Sequence, residues 1–358
     1  MLVLENDLEK NSHIDGVIQN PTPRYLAYFY WLAAIYLSLI VNKIMTQIHY
    51  NNFSTLCNVT QGVVLGTPHW RAYQNRLLGP YIVEFISYIF EIKYCSALHL
   101  FNLATTVIAF AVLFFVLLRM SRMSYKLSFT YLIYFSVILL MIQHHYGYTW
   151  DNIDLIIFTI LFYLILSDKP LWCYVVLFFV GILNKESALF ISLFLMIYSC
   201  DVKLHVTRRI GVTFKKKQLL AGVIMLIVGA AYIKSIRTIL FVSSSLDSIG
   251  ADLDHAALGN HINFVINLKR FYYNFWDLNA IVCVNVFVVL PTLYLLANIK
   301  KYNDIQIKAI ILYLIMLSSI FLFGLINETR MYTFLLPFLF IFQLSISGRK
   351  PFANTHVK

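Results

Sequence analysis

The chain has 358 residues, of which 60% are hydrophobic, 16% aromatic and only 13% charged. A soluble domain carries roughly a quarter charged residues, so this composition, with a mean hydropathy of +0.73, excludes a water-soluble fold. The formal net charge of +11 does not point to nucleic acid, because the lysines and arginines sit in short segments between apolar runs, where the positive-inside rule accounts for them.

Apolar runs of about 17–25 residues, the length a helix needs to cross the hydrocarbon with its backbone satisfied internally, recur along the chain. The expectation is an all-α polytopic membrane protein with about ten transmembrane helices and a transmembrane domain at 25–347. Residues 1–24, polar and mixed in charge, read as a cytoplasmic tail and not as a cleavable leader. The first span, Tyr25 to Met45, starts with the Tyr and Trp side chains typical of a headgroup boundary, and 46–93 follows as a first outer loop. Within it, Leu77 to Ile92 is short for a crossing. The next span, Tyr94 to Leu118, ends in the basic segment Arg119–Lys126, which reaches the cytoplasm only if Leu77–Ile92 does not cross. That segment therefore reads as an amphipathic helix at the outer surface, with Tyr81, Phe85, Tyr88 and Ile89 spaced to bury one face in lipid or protein.

Further spans are expected at Tyr125–Gln143, Asn152–Leu166, Leu171–Leu183, Ser187–Cys200, Gln218–Ile236, Asn279–Ile299, Gln306–Ile326 and Met331–Ile346. Residues 237–278 form a second long outer loop, 348–358 a cytoplasmic tail, and both termini lie inside. Cys57, Cys95, Cys173, Cys200 and Cys283 are odd in number and mostly within apolar runs. They show neither a disulfide framework nor metal spacing and read as small hydrophobic fillers.

This topology brings four polar clusters to one side: His69 to Arg76; His144 to Asp154; Asn184-Lys185-Glu186; and Asn327 to Arg330. Ionisable groups at membrane depth are costly, so they pair or face a cavity and mark functional paths. The guanidinium forks of Arg71 and Arg76 match phosphate oxygens, with interfacial anchoring as the plain alternative. Lys234 and Arg237 are further phosphate candidates or, equally, interfacial positives. Asp151 and Asp154 either act on a ligand or cap the helix that follows, and Trp150 and Tyr148 beside them suit a sugar-stacking surface. Lys185 with Glu186, and Glu328 with Arg330, are ligand-binding pairs or helix ties. His144 and His145 are adjacent and lack a third ligand, so no metal site is expected.

Two segments carry a resemblance. Asn75-Arg76-Leu77-Leu78-Gly79-Pro80 is similar to the R-x-L-x-P type segment of many bacterial GT-C membrane glycosyltransferases. Gly181-Ile182-Leu183-Asn184-Lys185-Glu186-Ser187-Ala188-Leu189 is similar to their G-x-x-x-K-E-[ST]-A-L helix junction. The resemblance implies a GT-C-like bundle with its active site open outward and a polyprenyl-phosphate-linked sugar as donor. It further implies a glycan or lipid acceptor, membrane lipids as surroundings and no nucleotide cofactor, with a divalent metal left open. The composition fits a bacterial inner membrane, with the endoplasmic reticulum as the alternative. His69, Arg71, Asn75, Arg76, Trp150, Lys185, Glu328 and Arg330 would hold substrate and phosphate. Asp151 or Asp154, and next Glu84 or Glu186, would take the proton from the acceptor. Members of that class carry an acid early in the first outer loop, whereas 46–83 here contain no Asp or Glu and Glu84 is the first. An O-antigen or exopolysaccharide polymerase, a transporter or flippase, and a non-catalytic membrane subunit stand as alternatives.

Overall fold

The computed structural model describes residues 23–67, 74–121, 125–143, 147–204, 210–240, 263–274, 280–324, 326 and 328–347. Both expected tails apart from Pro23 and Arg24, most of the loop at 237–278, and His69, Arg71, His144 and His145 lie outside the described residues.

The described chain is a bundle of α-helices, the architecture that satisfies every backbone group without water. Its elements are α1 (Arg24–Ile48), α2 (Phe53–Val64), α3 (Leu78–Phe90), α4 (Tyr94–Ser121), α5 (Tyr125–Met141), α6 (Thr149–Leu166) and α7 (Leu171–Asn184). They continue as α8 (Leu189–Ser199), α9 (Lys216–Ile239), α10 (Phe264–Asn274), α11 (Ala280–Val284), α12 (Leu290–Ala297), α13 (Asp304–Phe323) and α14 (Leu336–Ser347). Helices α1, α4, α6, α9 and α13 are long and apolar enough to cross a membrane, and α5, α7 and α8 are shorter apolar helices. A π-helical stretch, Asn285–Val289, joins α11 to α12. The 3-10 turns Glu186–Ala188 and Thr329–Leu335 lead into α8 and α14. Among the described residues the one exception to helix is an antiparallel ribbon of β1 (Cys200–Leu204) and β2 (Ile210–Phe214), with Cys200 opposite Phe214.

Helix α6 is the axis of the bundle: 67% of its most apolar stretch is buried inside the protein, against 17% for α1 and α9, which lie at the rim. An aromatic ladder ties it to its neighbours, with Phe158 against Phe334 and Phe162 against Phe338 at 4.9 Å between ring centres, and Tyr313 stacked on Phe338 at 4.6 Å. Where α8 and α9 meet, Gly222 allows the backbones to touch. A Cβ there would lie 2.9 Å from the Ser192 carbonyl oxygen and 3.2 Å from the Met196 nitrogen, the close approach that small residues permit between membrane helices.

The first expected outer loop holds more structure than its hydropathy suggests. Helix α2 closes at Gly66, whose φ of 75° places it in the left-handed region. The Thr67 N–H donates to the Gly62 carbonyl and the Gly66 N–H to that of Val63, a Schellman closure that favours glycine at this position. Helix α3 has 13 residues, or about 20 Å at 1.5 Å per residue, too short for a hydrocarbon core of about 30 Å. It buries Gly79, Pro80 and Val83 against the bundle, while Tyr81, Phe85, Tyr88 and Ile89 stay exposed. Its expected apolar face thus points away from protein, as in a helix lying in a lipid interface.

One reading needs correction. Cys57 and Cys95 are not independent fillers but a disulfide, with Cα atoms 5.5 Å apart. Their spacing gave no sign of it because the pairing depends on α2 folding back beside the start of α4. Cys173, Cys200 and Cys283 are free.

Candidate functional site

The site begins at the first turn of α6. Tyr148 precedes the helix in extended conformation, and its N–H donates to Asp151 Oδ2 at 3.0 Å. Asp151 therefore does cap the helix, as the plain reading expected, and it does more. Arg330 Nη1 donates to the same oxygen at 2.9 Å, and Lys185 Nζ lies 3.9 Å from Oδ1. One turn deeper, Asp154 is sealed in, its side chain 3% exposed. It accepts from Asn184 Nδ2 at 2.8 Å and from Ser187 Oγ at 3.1 Å, and pairs with Lys185 Nζ at 3.2 Å. A carboxyl group at this depth is tolerated only when it is paired and hydrogen-bonded to this degree.

A second arm of the network starts at Glu186, in the turn between α7 and α8. Arg76 Nη2 donates to its Oε1 at 3.0 Å and Asn75 Nδ2 to its Oε2 at 2.9 Å. Arg237, at the end of α9, donates to Asn75 Oδ1 at 2.8 Å. The Leu77 N–H caps the carbonyl of Leu183 at 3.0 Å, so the Asn75–Leu77 strand is pinned across the α7 terminus. Burial alone would push the Glu186 carboxyl up. The Arg76 guanidinium, the Asn75 amide and the Lys185 ammonium more than offset that and hold it at about 2.

Two aromatic rings join the arms. Arg76 packs over the Trp150 ring at 4.9 Å, Tyr148 stacks on Trp150 at 4.7 Å, and Arg330 packs over Tyr148 at 4.5 Å. Two guanidiniums and two rings form one contiguous layer, held by cation–π attraction and stacking. Arg330 also donates from Nη2 to Glu328 Oε2 at 3.0 Å. Among the described residues, Arg76, Lys185 and Arg330 thus meet Asp151, Asp154, Glu186 and Glu328, and Arg237 joins them through Asn75. The carboxylates of Glu186 and Glu328 are the accessible ones, 36% and 33% exposed.

The layer has a different neighbour on each side. Beside Arg76 and Glu186 is an open apolar groove of about 400 Å³ lined by Leu77, Leu78, Tyr81, Ile82, Phe85 and Leu183. Beside Arg330 and Asp151 a cleft runs into the bundle between α1, α2, α4, α5 and α6, lined by Asn42, His49, His99, Asn102, Gln143 and Asn152 among others. It encloses about 50 Å³, room for a few waters by the volume each requires. Gly147 serves it directly, since a Cβ there would overlap the His49 imidazole.

The structure brings together Asn75, Arg76, Trp150, Asp151, Asp154, Lys185, Glu186, Glu328 and Arg330. It departs from expectation at three of the proposed residues. Glu84 is exposed on α3 and no contact places it in the network, because the buried face of that helix is the one carrying Gly79, Pro80 and Val83. Trp150 is fully buried beneath Tyr148 and Arg76, so it offers no open face to a sugar and positions Arg76 instead. Asp154 is sealed away from any ligand by its three donors. The cleft residues were missed, although a signal existed: Asn42 and Thr46 on α1 with His49 just after it, and His99, Asn102 and Thr106 on α4, are polar at helical spacing on otherwise apolar helices.

Compared with protein-family models, curated proteins and solved structures, the chain gives no match.

Proposed function

We propose that the protein is a membrane glycosyltransferase that moves a sugar from a polyprenyl-phosphate donor to an acceptor hydroxyl. On this reading the chain crosses the bilayer about ten times with both termini cytoplasmic. The end of the bundle bearing the Arg–Trp–Tyr–Arg layer then faces the outside. The Cys57–Cys95 disulfide agrees with that orientation, because such bonds persist in oxidising compartments.

The observation that carries the reading is the meeting of Arg76, Asp151 and Arg330 in one layer, with an apolar groove on one side and a polar cleft on the other. A lipid phosphate needs both kinds of surface within a few ångströms: a dry groove for the chain and guanidiniums for the head. The half-buried carboxylates of Glu186 and Glu328 hold the guanidiniums of Arg76 and Arg330, and a phosphate with its greater charge would displace them. As the sugar–phosphate bond breaks, negative charge grows on the phosphate. Arg76, Arg330 and Lys185 are placed to stabilise it without reorganising. Asp151, fixed by Arg330, Lys185 and the Tyr148 N–H, orients the arginine at the boundary of the cleft where the acceptor would enter.

A second reading follows from the ion pairs that Arg76, Lys185 and Arg330 make with the four carboxylates: a non-catalytic subunit whose network only ties helices together. Binding and turnover of a short-chain polyprenyl-phosphate hexose by the purified protein in nanodiscs separates them. The transferase reading expects Arg76→Ala and Arg330→Ala each to weaken donor binding by at least tenfold. A well-folded wild type that binds no such donor refutes it in favour of the subunit.

A further inference from the structure

We propose that the polar cleft admits the hydroxyl end of the acceptor and that His99 takes the proton from that attacking hydroxyl. The inference rests on the transferase reading and assigns a base that the carboxylates of the network do not supply. Asp151 already accepts from Arg330 and Tyr148 and faces Lys185. Asp154 is sealed, and Glu186 is held at about 2 by Arg76 and Asn75. A carboxylate so stabilised is a weak base at neutral pH.

His99 differs. It lies at the second turn of α4, exposed on the cleft wall, and its ring nitrogens have no hydrogen-bond partner among the described residues. Imidazole is the side chain whose ordinary titration falls at neutral pH. Its ring is held face to face on Phe53, centres 3.7 Å apart with 11° between the planes. A covalent bond lies one turn away: Phe53 and Cys57 are one turn apart on α2, Cys95 and His99 one turn apart on α4, and Cys57 is bonded to Cys95. The disulfide and the stack are successive rungs between the same two helices, so the crosslink holds together the two helices that bring the rings face to face. The rest of the wall suits a neutral, hydroxyl-rich acceptor. The side-chain amides of Asn102 and Gln143 border the cleft without a hydrogen-bond partner among the described residues, and the charged pair that reaches it, Asp151 with Arg330, is mutually compensated. Uncommitted amides on membrane helices are costly unless a ligand or water meets them.

In the step itself the acceptor oxygen forms a bond to the anomeric carbon while the bond from that carbon to the phosphate oxygen breaks. The bonding pair leaves with the phosphate, and the hydroxyl proton passes to the lone pair of the His99 ring and then to water.

The test uses full-length protein in nanodiscs with a short-chain polyprenyl-phosphate hexose as donor and an alkyl glycoside as acceptor. Donor binding, kcat and the pH dependence of kcat are measured for wild type, His99→Gln and the double variant Cys57→Ser/Cys95→Ser. The expected result for His99→Gln is donor binding within twofold of wild type, a kcat lower by about 10²–10⁴-fold, as for loss of a general base, and disappearance of the inflection in the imidazole range. The serine pair, which keeps the imidazole but loses its rung, is expected to lower kcat by a smaller factor while retaining that inflection. A His99→Gln protein with kcat within threefold of wild type, or with the inflection intact, overturns the assignment while leaving the transferase standing. A wild type that binds no donor overturns both.

Discussion

Lysine 185 offers the sharpest test of the network. Its ammonium is 3.2 Å from Asp154 Oδ2 and 3.9 Å from Asp151 Oδ1. Substitution Lys185→Met keeps length and removes the charge, leaving Asp154, 3% exposed, with only the neutral donors Asn184 and Ser187. Breaking a buried pair from one side costs about 3–5 kcal/mol, because the partner stays charged without compensation. Asp154→Asn removes that charge and keeps an oxygen acceptor for Ser187. The double variant Lys185→Met/Asp154→Asn is therefore expected to be more stable than Lys185→Met alone, with a coupling of about 2 kcal/mol, within the range of 0.5–3 found for residues in direct contact. The assay is unfolding by dodecyl sulfate in mixed micelles, followed by tryptophan fluorescence for wild type, both single variants and the double. Additive losses, with coupling below about 0.5 kcal/mol, would refute the pairing.

Three further outcomes are expected. The Glu186 carboxyl is held at about 2, below its ordinary 4.5, so its contact with Arg76 contributes stability that is fully present above pH 4.5 and lost as the pH falls through about 2. Glu186→Gln should flatten the stability profile in that window, and an unchanged acid slope contradicts the contact. Protein denatured without reductant should take up maleimide polyethylene glycol at Cys173, Cys200 and Cys283 only, and at all five cysteines after reduction; five modifications without reductant would disprove the Cys57–Cys95 bond. Gly222→Val pushes a branched side chain into the Ser192 and Met196 backbone and should destabilise the protein by about 1–3 kcal/mol, the usual cost of overpacking, in the same dodecyl sulfate titration. No loss there would mean that α8 and α9 do not meet at this glycine.

Hydropathy alone placed most of the helices. The expected spans Tyr25–Met45, Tyr94–Leu118 and Leu171–Leu183 lie within a few residues of α1, α4 and α7, because in lipid each helix satisfies its own backbone and announces itself by a local apolar run. The polar residues at helix ends were legible for the same reason, since charge inside an apolar chain stands out against its neighbours. Partner choice was not legible. Arg76 meets Glu186 across 110 positions and Arg330 meets Asp151 across 179, and nothing local distinguishes Asp151, which borders the cleft, from Asp154, which is sealed. The disulfide was hidden because Cys57 and Cys95 become neighbours only when α2 folds against α4. Trp150 looked like an open stacking face until Tyr148 and Arg76 covered it. Periodicity reports the surroundings of one helix at a time, whereas a site made from the ends of several helices depends on how those helices pack, and packing is a property of the whole bundle.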